Sequence, residues 1–209
     1  MSRLPKGHHA LTQLFAAGTH IGHRTRYWVP QMAPALYASR QGTHLLDLKV
    51  SATALSRALS LVAQVLREGG RLLIVGNRSE NALLVQTLGH RYPDRVQCVT
   101  RNWIGGALSN QEAPLSTRRR KGKAPFPLFP GSLSSPDLVL LLNLEGNEAL
   151  VREAARLPLP VIGLVDTNLS PRALTYPLPG NDDLTSTHFL YTQALAYVLH
   201  QALTNASSP

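Results

Sequence analysis

Between Gly18 and Met32 the chain reads Gly-Thr-His-Ile-Gly-His-Arg-Thr-Arg-Tyr-Trp-Val-Pro-Gln-Met, with His20, His23, Arg24, Arg26, Tyr27 and Trp28 in one short stretch. Cations beside flat rings suit phosphate contact and base stacking. The apolar residues neither alternate nor recur every three to four positions, so a rigid loop is expected here. Pro30 ends any helix that precedes it. Trp28 has a second reading as a ring plugging the side of a core, since large aromatics are usually buried. His20 and His23 have a spacing that zinc tolerates. No cysteine or carboxylate stands near them in sequence to complete a tetrahedral set, so a structural role for the imidazoles is favoured and no metal ligand is assigned.

Arg101-Asn-Trp-Ile-Gly-Gly-Ala-Leu-Ser-Asn110 has the same make-up: cation, ring, then paired glycines. Gly105 and Gly106 let the backbone approach another chain or a phosphate closely. Just downstream lie Arg118, Arg119, Arg120, Lys121 and Lys123. A basic run is usually a solvated face, but the scarcity of acids around this one favours contact with RNA. The expected RNA-binding residues are His20, His23, Arg24, Arg26, Trp28, Arg101, Trp103, Gly105, Gly106, Asn110, Arg118, Arg119, Arg120, Lys121 and Lys123.

Two places could carry other chemistry. Gly76 ends an apolar run ahead of a helix, where a nucleotide phosphate can bind, and Asp166-Thr-Asn168 puts a carboxylate at another strand end. Leu-Leu-Ile-Val-Gly-Asn-Arg-Ser has one glycine where a dinucleotide fingerprint needs three, and no Gly-Lys-Ser/Thr phosphate loop occurs. A tight strand-to-helix turn is the simpler reading of Gly76. No nucleophile motif or paired acid accompanies Asp166, so Asp166 and Asn168 are expected to hold the following loop by side-chain to backbone bonds. Asp182-Asp183, after Pro-Gly-Asn, reads as a helix cap with dipole compensation, with a magnesium site as the lesser alternative. A nucleotide-binding α/β enzyme built on Gly76 and Asp166 is the runner-up function.

Charge separates the chain into two parts. The 209 residues carry a formal charge of +9 and 44% hydrophobic residues, enough for one sizeable core. Up to Lys123 there are 18 Lys and Arg against 5 Asp and Glu; after it, 3 against 7. A basic part facing a mildly acidic one points to a polyanion bound on one side. Nucleic acid is the commoner polyanion, and a membrane surface is the competitor. No apolar run nears the roughly 20 residues that span a bilayer, so no membrane is expected. The one cysteine, Cys98, excludes an internal disulfide and suits a reducing compartment. The first residues lack the apolar core of a secretory signal.

The elements that must position these residues alternate. A short helix is expected over His9–Ala17, then an extended segment over Tyr37–Leu48. A helix capped by Ser51 follows, with Leu55, Ala58, Leu59, Val62 and Leu66 on one stripe and Gly69-Gly70 as its stop. Strands are expected at Leu72–Gly76, Val96–Thr100, Asp137–Asn143, Val161–Asp166 and Tyr176–Leu178. Helices are expected from Ser79, from Gly146, and from Asp182 or Asp183. This pattern gives a doubly wound α/β fold, a mostly parallel sheet with helices on both faces. Residues 1–209 read as one such domain. The Pro-rich basic stretch 111–136 is a connector within it.

Gly18-x-His20-x-Gly22-His23, Trp28-x-Pro30-x-Met32, His44-Leu-Leu-Asp47-Leu, Arg101-Asn-Trp103-Ile-Gly105-Gly106-x-Leu-Ser-Asn110, Asp166-Thr-Asn168 and Pro179-Gly-Asn-Asp-Asp183 stand in one order. Together they resemble the family of the second protein of the small ribosomal subunit, in its bacterial and organellar form, from about Leu11 to Leu199. That resemblance implies a flavodoxin-like, non-enzymatic protein near the junction of the subunit's head and body. Its implied partners are small-subunit rRNA and neighbouring ribosomal proteins, with no membrane and no small-molecule substrate. It implies no cofactor, structural Mg²⁺ within the particle aside. Bacterial members carry a long helical hairpin where this chain has the connector 111–136. This departure favours a mitochondrial ribosome, with the bacterial cytoplasm or a plastid as alternatives.

Overall fold

The runs Leu72–Val75, Leu138–Leu141 and Val161–Val165 are apolar throughout, and each is a strand buried along its whole length. A strand with no polar face must be covered on both sides. The computed structural model describes residues 7–109 and 135–204. Asn110, Arg118, Arg119, Arg120, Lys121, Lys123 and nearly all of the connector therefore lie outside the described residues.

In chain order come α1 (Gly7–Ala16), β1 (Ile21–Arg24), a 3-10 helix (Pro30–Ala35), β2 (Leu36–Arg40), β3 (Thr43–Leu46) and α2 (Leu48–Arg67). Then follow β4 (Leu72–Val75), α3 (Ser79–Arg91), β5 (Val96–Val99), β6 (Leu138–Leu141) and α4 (Glu148–Arg156). The last elements are β7 (Val161–Val165), a 3-10 turn (Pro171–Ala173), β8 (Tyr176–Pro179) and α5 (Thr185–Thr204). Five strands form a parallel sheet in the order β5-β4-β6-β7-β8. Counted along the parallel strands this is the order 2-1-3-4-5, the flavodoxin-like winding whose direction reverses between β4 and β6.

Alternate side chains of each strand go to opposite faces. Leu72, Ile74, Leu138, Leu140, Ile162 and Leu164 pack with Leu14 of α1, Ala58, Leu59, Val62 and Leu66 of α2, Val85 of α3, and Leu195 and Leu199 of α5. Leu73, Val75, Val139, Leu141, Val161 and Val165 pack with Leu150, Val151 and Ala154 of α4. That second face is finished by Met32 and Ala35 of the 3-10 helix, Leu46 of β3 and Trp103 rather than by a second α-helix. Among the described residues no helix is long and apolar enough to cross a membrane. Cys98 is a packing thiol: it donates to the Val85 carbonyl at 2.9 Å, and burial pushes its pKa up to about 12.

Three local expectations give way. The stretch 18–32 is not a loop throughout: it supplies β1 and the start of the first 3-10 helix. The single extended segment expected over Tyr37–Leu48 is two strands, β2 and β3, which with β1 form an antiparallel sheet in the order β1-β3-β2. Gln41 and Gly42 turn the hairpin with φ of 51° and 75°. Positive φ at both central residues marks the tight turn that matches strand twist, and Gln-Gly is a weaker signal for it than Asn-Gly. Finally, α2 begins at Leu48, and its cap is Asp47, whose Oδ1 accepts from the Lys49 amide at 2.8 Å. Ser51 lies inside the first turn and donates to the Asp47 carbonyl.

This capping assignment is checked by equilibrium denaturation. Asp47→Ala should cost about 1 kcal/mol, and Ser51→Ala distinctly less. The reverse ranking would return the cap to Ser51.

Candidate functional site

The site lies at the carboxyl ends of β4, β6, β7 and β8, where the 18–32 segment is sewn to the parallel sheet. The His23 amide donates to Thr167 Oγ1 and the Val29 amide to the Thr167 carbonyl, both at 2.9 Å. The Asn181 amide donates to the Thr19 carbonyl, and its Nδ2 donates to the Ile21 carbonyl. Gly22 makes this approach sterically allowed. A Cβ there would stand 2.7 Å from Thr167 Cγ2 and 3.2 Å from Asp166 Oδ1.

Charged groups converge beneath that crossing. His23 Nδ1 lies 3.0 Å from Asp166 Oδ2, and its Nε2 lies 3.2 Å from Asp183 Oδ2. Arg78 Nη1 pairs with Asp183 Oδ1 and Nη2 with Glu145 Oε2, each at 2.9 Å. Asp166 is fully covered and Asp182 is 1% exposed. Burial raises the Asp166 pKa, partly offset by the Thr167 amide and His23. Burial, with the charge of Asp166 added, pushes Asp182 up to about 6. Neither carboxylate oxygen of Asp182 has a hydrogen-bond partner.

The winding reverses at the β4–β6 junction, the position where such sheets bind ligands. Here protein amides occupy it. Asn143 Nδ2 donates to Asn77 Oδ1, Asn147 Nδ2 donates to the Asn143 carbonyl at 3.0 Å, and Asn77 Nδ2 donates to Asn102 Oδ1 at 3.2 Å. Gly76 is a tight turn: an added Cβ would stand 2.7 Å from Asn81 Oδ1 on α3.

The loop beyond β5 wraps around one buried carboxylate. Glu153 of α4, 8% exposed, accepts from Trp103 Nε1 at 2.9 Å, from the Gly106 amide and from Ser109 Oγ at 3.2 Å. Three donors satisfy a carboxyl group whose burial would otherwise leave its oxygens without partners.

These contacts sort the expected RNA-binding residues. Arg24, Arg26, Arg101 and Gly105 are exposed. The Arg26 guanidinium lies 4.5 Å over the exposed Tyr27 ring. Trp28 is half-buried and tilted against His44, with ring centroids 5.1 Å apart. His20 stacks on Phe15 at 4.5 Å, and burial lowers its pKa. His23 is held in the carboxylate network. Trp103 packs as a core ring, 8% exposed, rather than as a stacking platform. Gly106 adopts φ of 88° and directs its amide to Glu153, not outward to a phosphate.

One expected role is corrected alongside these. Asn181, not the aspartates after it, serves the start of α5: its Oδ1 accepts from the amides of Asp183 and Leu184 at 2.9 and 2.8 Å. The Asp166 side chain holds the start of the following loop as expected, its Oδ1 accepting from the Thr167 amide, and its other oxygen faces His23, while Asn168 Oδ1 makes no such bond. Nothing in the local sequence marks Arg78, Asn143 or Asn147 for these contacts. Only Glu153 leaves a trace there, as an acid among Leu150, Val151 and Ala154 on the buried stripe of α4.

A family model described as Ribosomal protein S2 matches residues 14–123 and 130–202. The small ribosomal subunit protein uS2 of Brucella melitensis is 30% identical, covering 90% of this chain and 83% of the relative. That alignment runs over 217 positions, more than the 209 residues of this chain, so the relative carries residues that this chain lacks. The proteins of the same name from Rhodospirillum rubrum and Paramagnetospirillum magneticum are 32% and 31% identical, each covering 83% of this chain and 77% and 75% of the relative.

The Trp103–Glu153 bond is tested by a double-mutant cycle with Trp103→Phe and Glu153→Gln. Each single change should cost about 1–3 kcal/mol, and the pair should cost less than their sum by at least ~0.5 kcal/mol. Strict additivity would show that the bond contributes nothing.

Proposed function

This chain belongs to the ribosomal protein S2 family, and from that premise we propose that it holds small-subunit rRNA through its exposed basic face. It is a structural protein of the small ribosomal subunit, not an enzyme. The nucleotide-binding alternative has no support in the comparisons, and the crevice it would use is filled by Asn77, Asn143 and Asn147.

The observation that carries the RNA reading is the exposure of Arg24 and Arg26 on a segment fixed to the sheet by Thr167 and Asn181. Phosphate contacts position an RNA-binding protein, and a rigid scaffold lets each contact form without a further ordering cost. Tyr27, 54% exposed, puts ring surface beside the Arg26 guanidinium. Arg101, just after β5, is a further exposed cation. In this reading Arg118, Arg119, Arg120, Lys121 and Lys123 add to the basic face. The partners are small-subunit rRNA and neighbouring ribosomal proteins at the junction of head and body, and no cofactor chemistry is involved. The setting we favour is a mitochondrial small subunit, on the strength of the Pro-rich connector 111–136 in place of a hairpin. The named relatives are bacterial, and fractionation of cells expressing the tagged chain separates the two settings.

Small subunits lacking this protein are reconstituted with it across a salt series. Arg24→Gln with Arg26→Gln should weaken incorporation and reduce the slope of log affinity against log salt by roughly 1–2, because each lost phosphate contact removes about 0.7–0.9. Replacing Arg118, Arg119, Arg120, Lys121 and Lys123 with Gln should reduce it further. An unchanged slope would remove the substituted segment from the interface.

A further inference from the structure

Between α2 and α5 runs an open furrow of about 400 Å³. It is apolar at depth, where Leu59, Val198 and Ala202 are buried, and Leu55, Leu190 and Tyr197 are half-buried along it. α1 rests against both helices through Leu14 and shows how a helix lies there. Its end is pinned at the start of α5, where the Ala17 carbonyl accepts from the Ser186 and Thr187 hydroxyls at 2.8 and 3.2 Å. α1 has 10 residues against 20 in each of its neighbours, about 15 Å against 30 Å. The furrow therefore runs on past it, between Ser60 and Ala63 of α2 and Tyr197 and Gln201 of α5.

The two walls differ in charge. α5 carries no Asp, Glu, Lys or Arg in its 20 residues, in a chain of which 16% is charged. α2 carries Lys49, Arg57 and Arg67 and no acid. All three are exposed, and Arg67 lines the furrow. The acids flanking α2 are engaged locally: Asp47 accepts from the Lys49 amide, and Glu68 accepts from Gln64 Nε2 at 3.0 Å. Among the described residues no ion pair engages Arg57 or Arg67. Loss of charge over an apolar furrow is the mark of a protein contact's core, not of a solvated face. RNA fits it poorly, because a mainly aliphatic lining gives bases little to stack on and α5 offers phosphates no cation. We propose that this furrow docks an amphipathic helix of a partner protein, with acidic residues on the flank toward α2 and uncharged polar residues toward α5. Its apolar stripe, one anchor every three to four residues, meets Leu55, Leu190 and Tyr197. The one-sided charge fixes its orientation. None of the residues assigned to RNA lines this furrow.

The test uses the full chain and two fluorescein-labelled synthetic helices of about 14 residues, roughly 21 Å long, followed by anisotropy. Both carry a stripe of Leu and Ala with Gln on one flank; the other flank is Glu in one peptide and Lys in its twin. Wild type should bind the Glu peptide at least about 10-fold more tightly than the Lys peptide. Arg57→Glu with Arg67→Glu should reverse that preference. Ser60→Trp and, on the opposite wall, Gln201→Trp fill the furrow, and each should abolish peptide binding while melting near the wild-type temperature. A single-stranded RNA of about 12 nucleotides should bind Ser60→Trp as well as it binds wild type, which keeps this outcome separate from the RNA reading. Equal affinity for the two peptides, no binding of either, an unreversed preference, or binding that survives both tryptophans would each overturn the proposal. Loss of RNA binding in folded Ser60→Trp would overturn it as well, by assigning the furrow to nucleic acid.

Discussion

The arrangement depends on how closely the backbone of β1 can approach the turn after β7. The gap admits a hydrogen and not a methyl group: a Cβ on Gly22 would stand 2.7 Å from the Thr167 methyl, closer than carbon atoms can sit. With that approach allowed, the His23 and Val29 amides both find Thr167, and the His23 ring is set down between Asp166 and Asp183. The antiparallel sheet follows, because the Leu46 amide pairs with the His20 carbonyl and so fixes β3 against β1. Arg24 and Arg26, two and four positions beyond Gly22, are then presented outward on a braced segment.

The parallel sheet supplies the counterpart. Its strands end together, so the polar residues following β4, β6, β7 and β8 collect at one edge without any proximity in sequence. In an α/β enzyme this edge is where a substrate sits. Here the reversal point is closed by asparagine side chains, and the remainder is covered by the N-terminal segment. The fold's customary ligand position has become an internal joint. That conversion fits a protein whose task is to hold a surface in place rather than to admit a small molecule.

The fold was legible in the sequence to the extent that its strands are apolar on both faces. Leu72–Val75 and Val161–Val165 cannot be amphipathic helices, and their alternation with helices dictates a parallel sheet. β1 was not legible. Ile-Gly-His-Arg has no alternation of its own, and its strand character is imposed by β3, whose register the Gln41-Gly42 turn sets through β2. For the same reason the histidine's partners could not be read locally. His23 and Thr167 are 144 residues apart, so a search along the sequence finds no carboxylate for an imidazole that folding places between two. Trp103 shows the opposite limit. Its neighbours advertise an exposed cation-and-ring loop, while the residue that decides its position, Glu153, belongs to α4 and draws the indole inward.

The most direct measurement of this dependence is residue-resolved amide hydrogen exchange on wild type and Gly22→Ala under conditions where both are folded. Loss of the close approach should strip protection from the His23 and Val29 amides together, and from Leu46 with them, while Leu73–Val75 and Ile162–Leu164 keep theirs. Unchanged protection at His23 and Val29 would show that the joint does not rest on Gly22. A uniform loss across the parallel strands would show that the N-terminal sheet and the core are one cooperative unit, contrary to the account of a braced but separable segment.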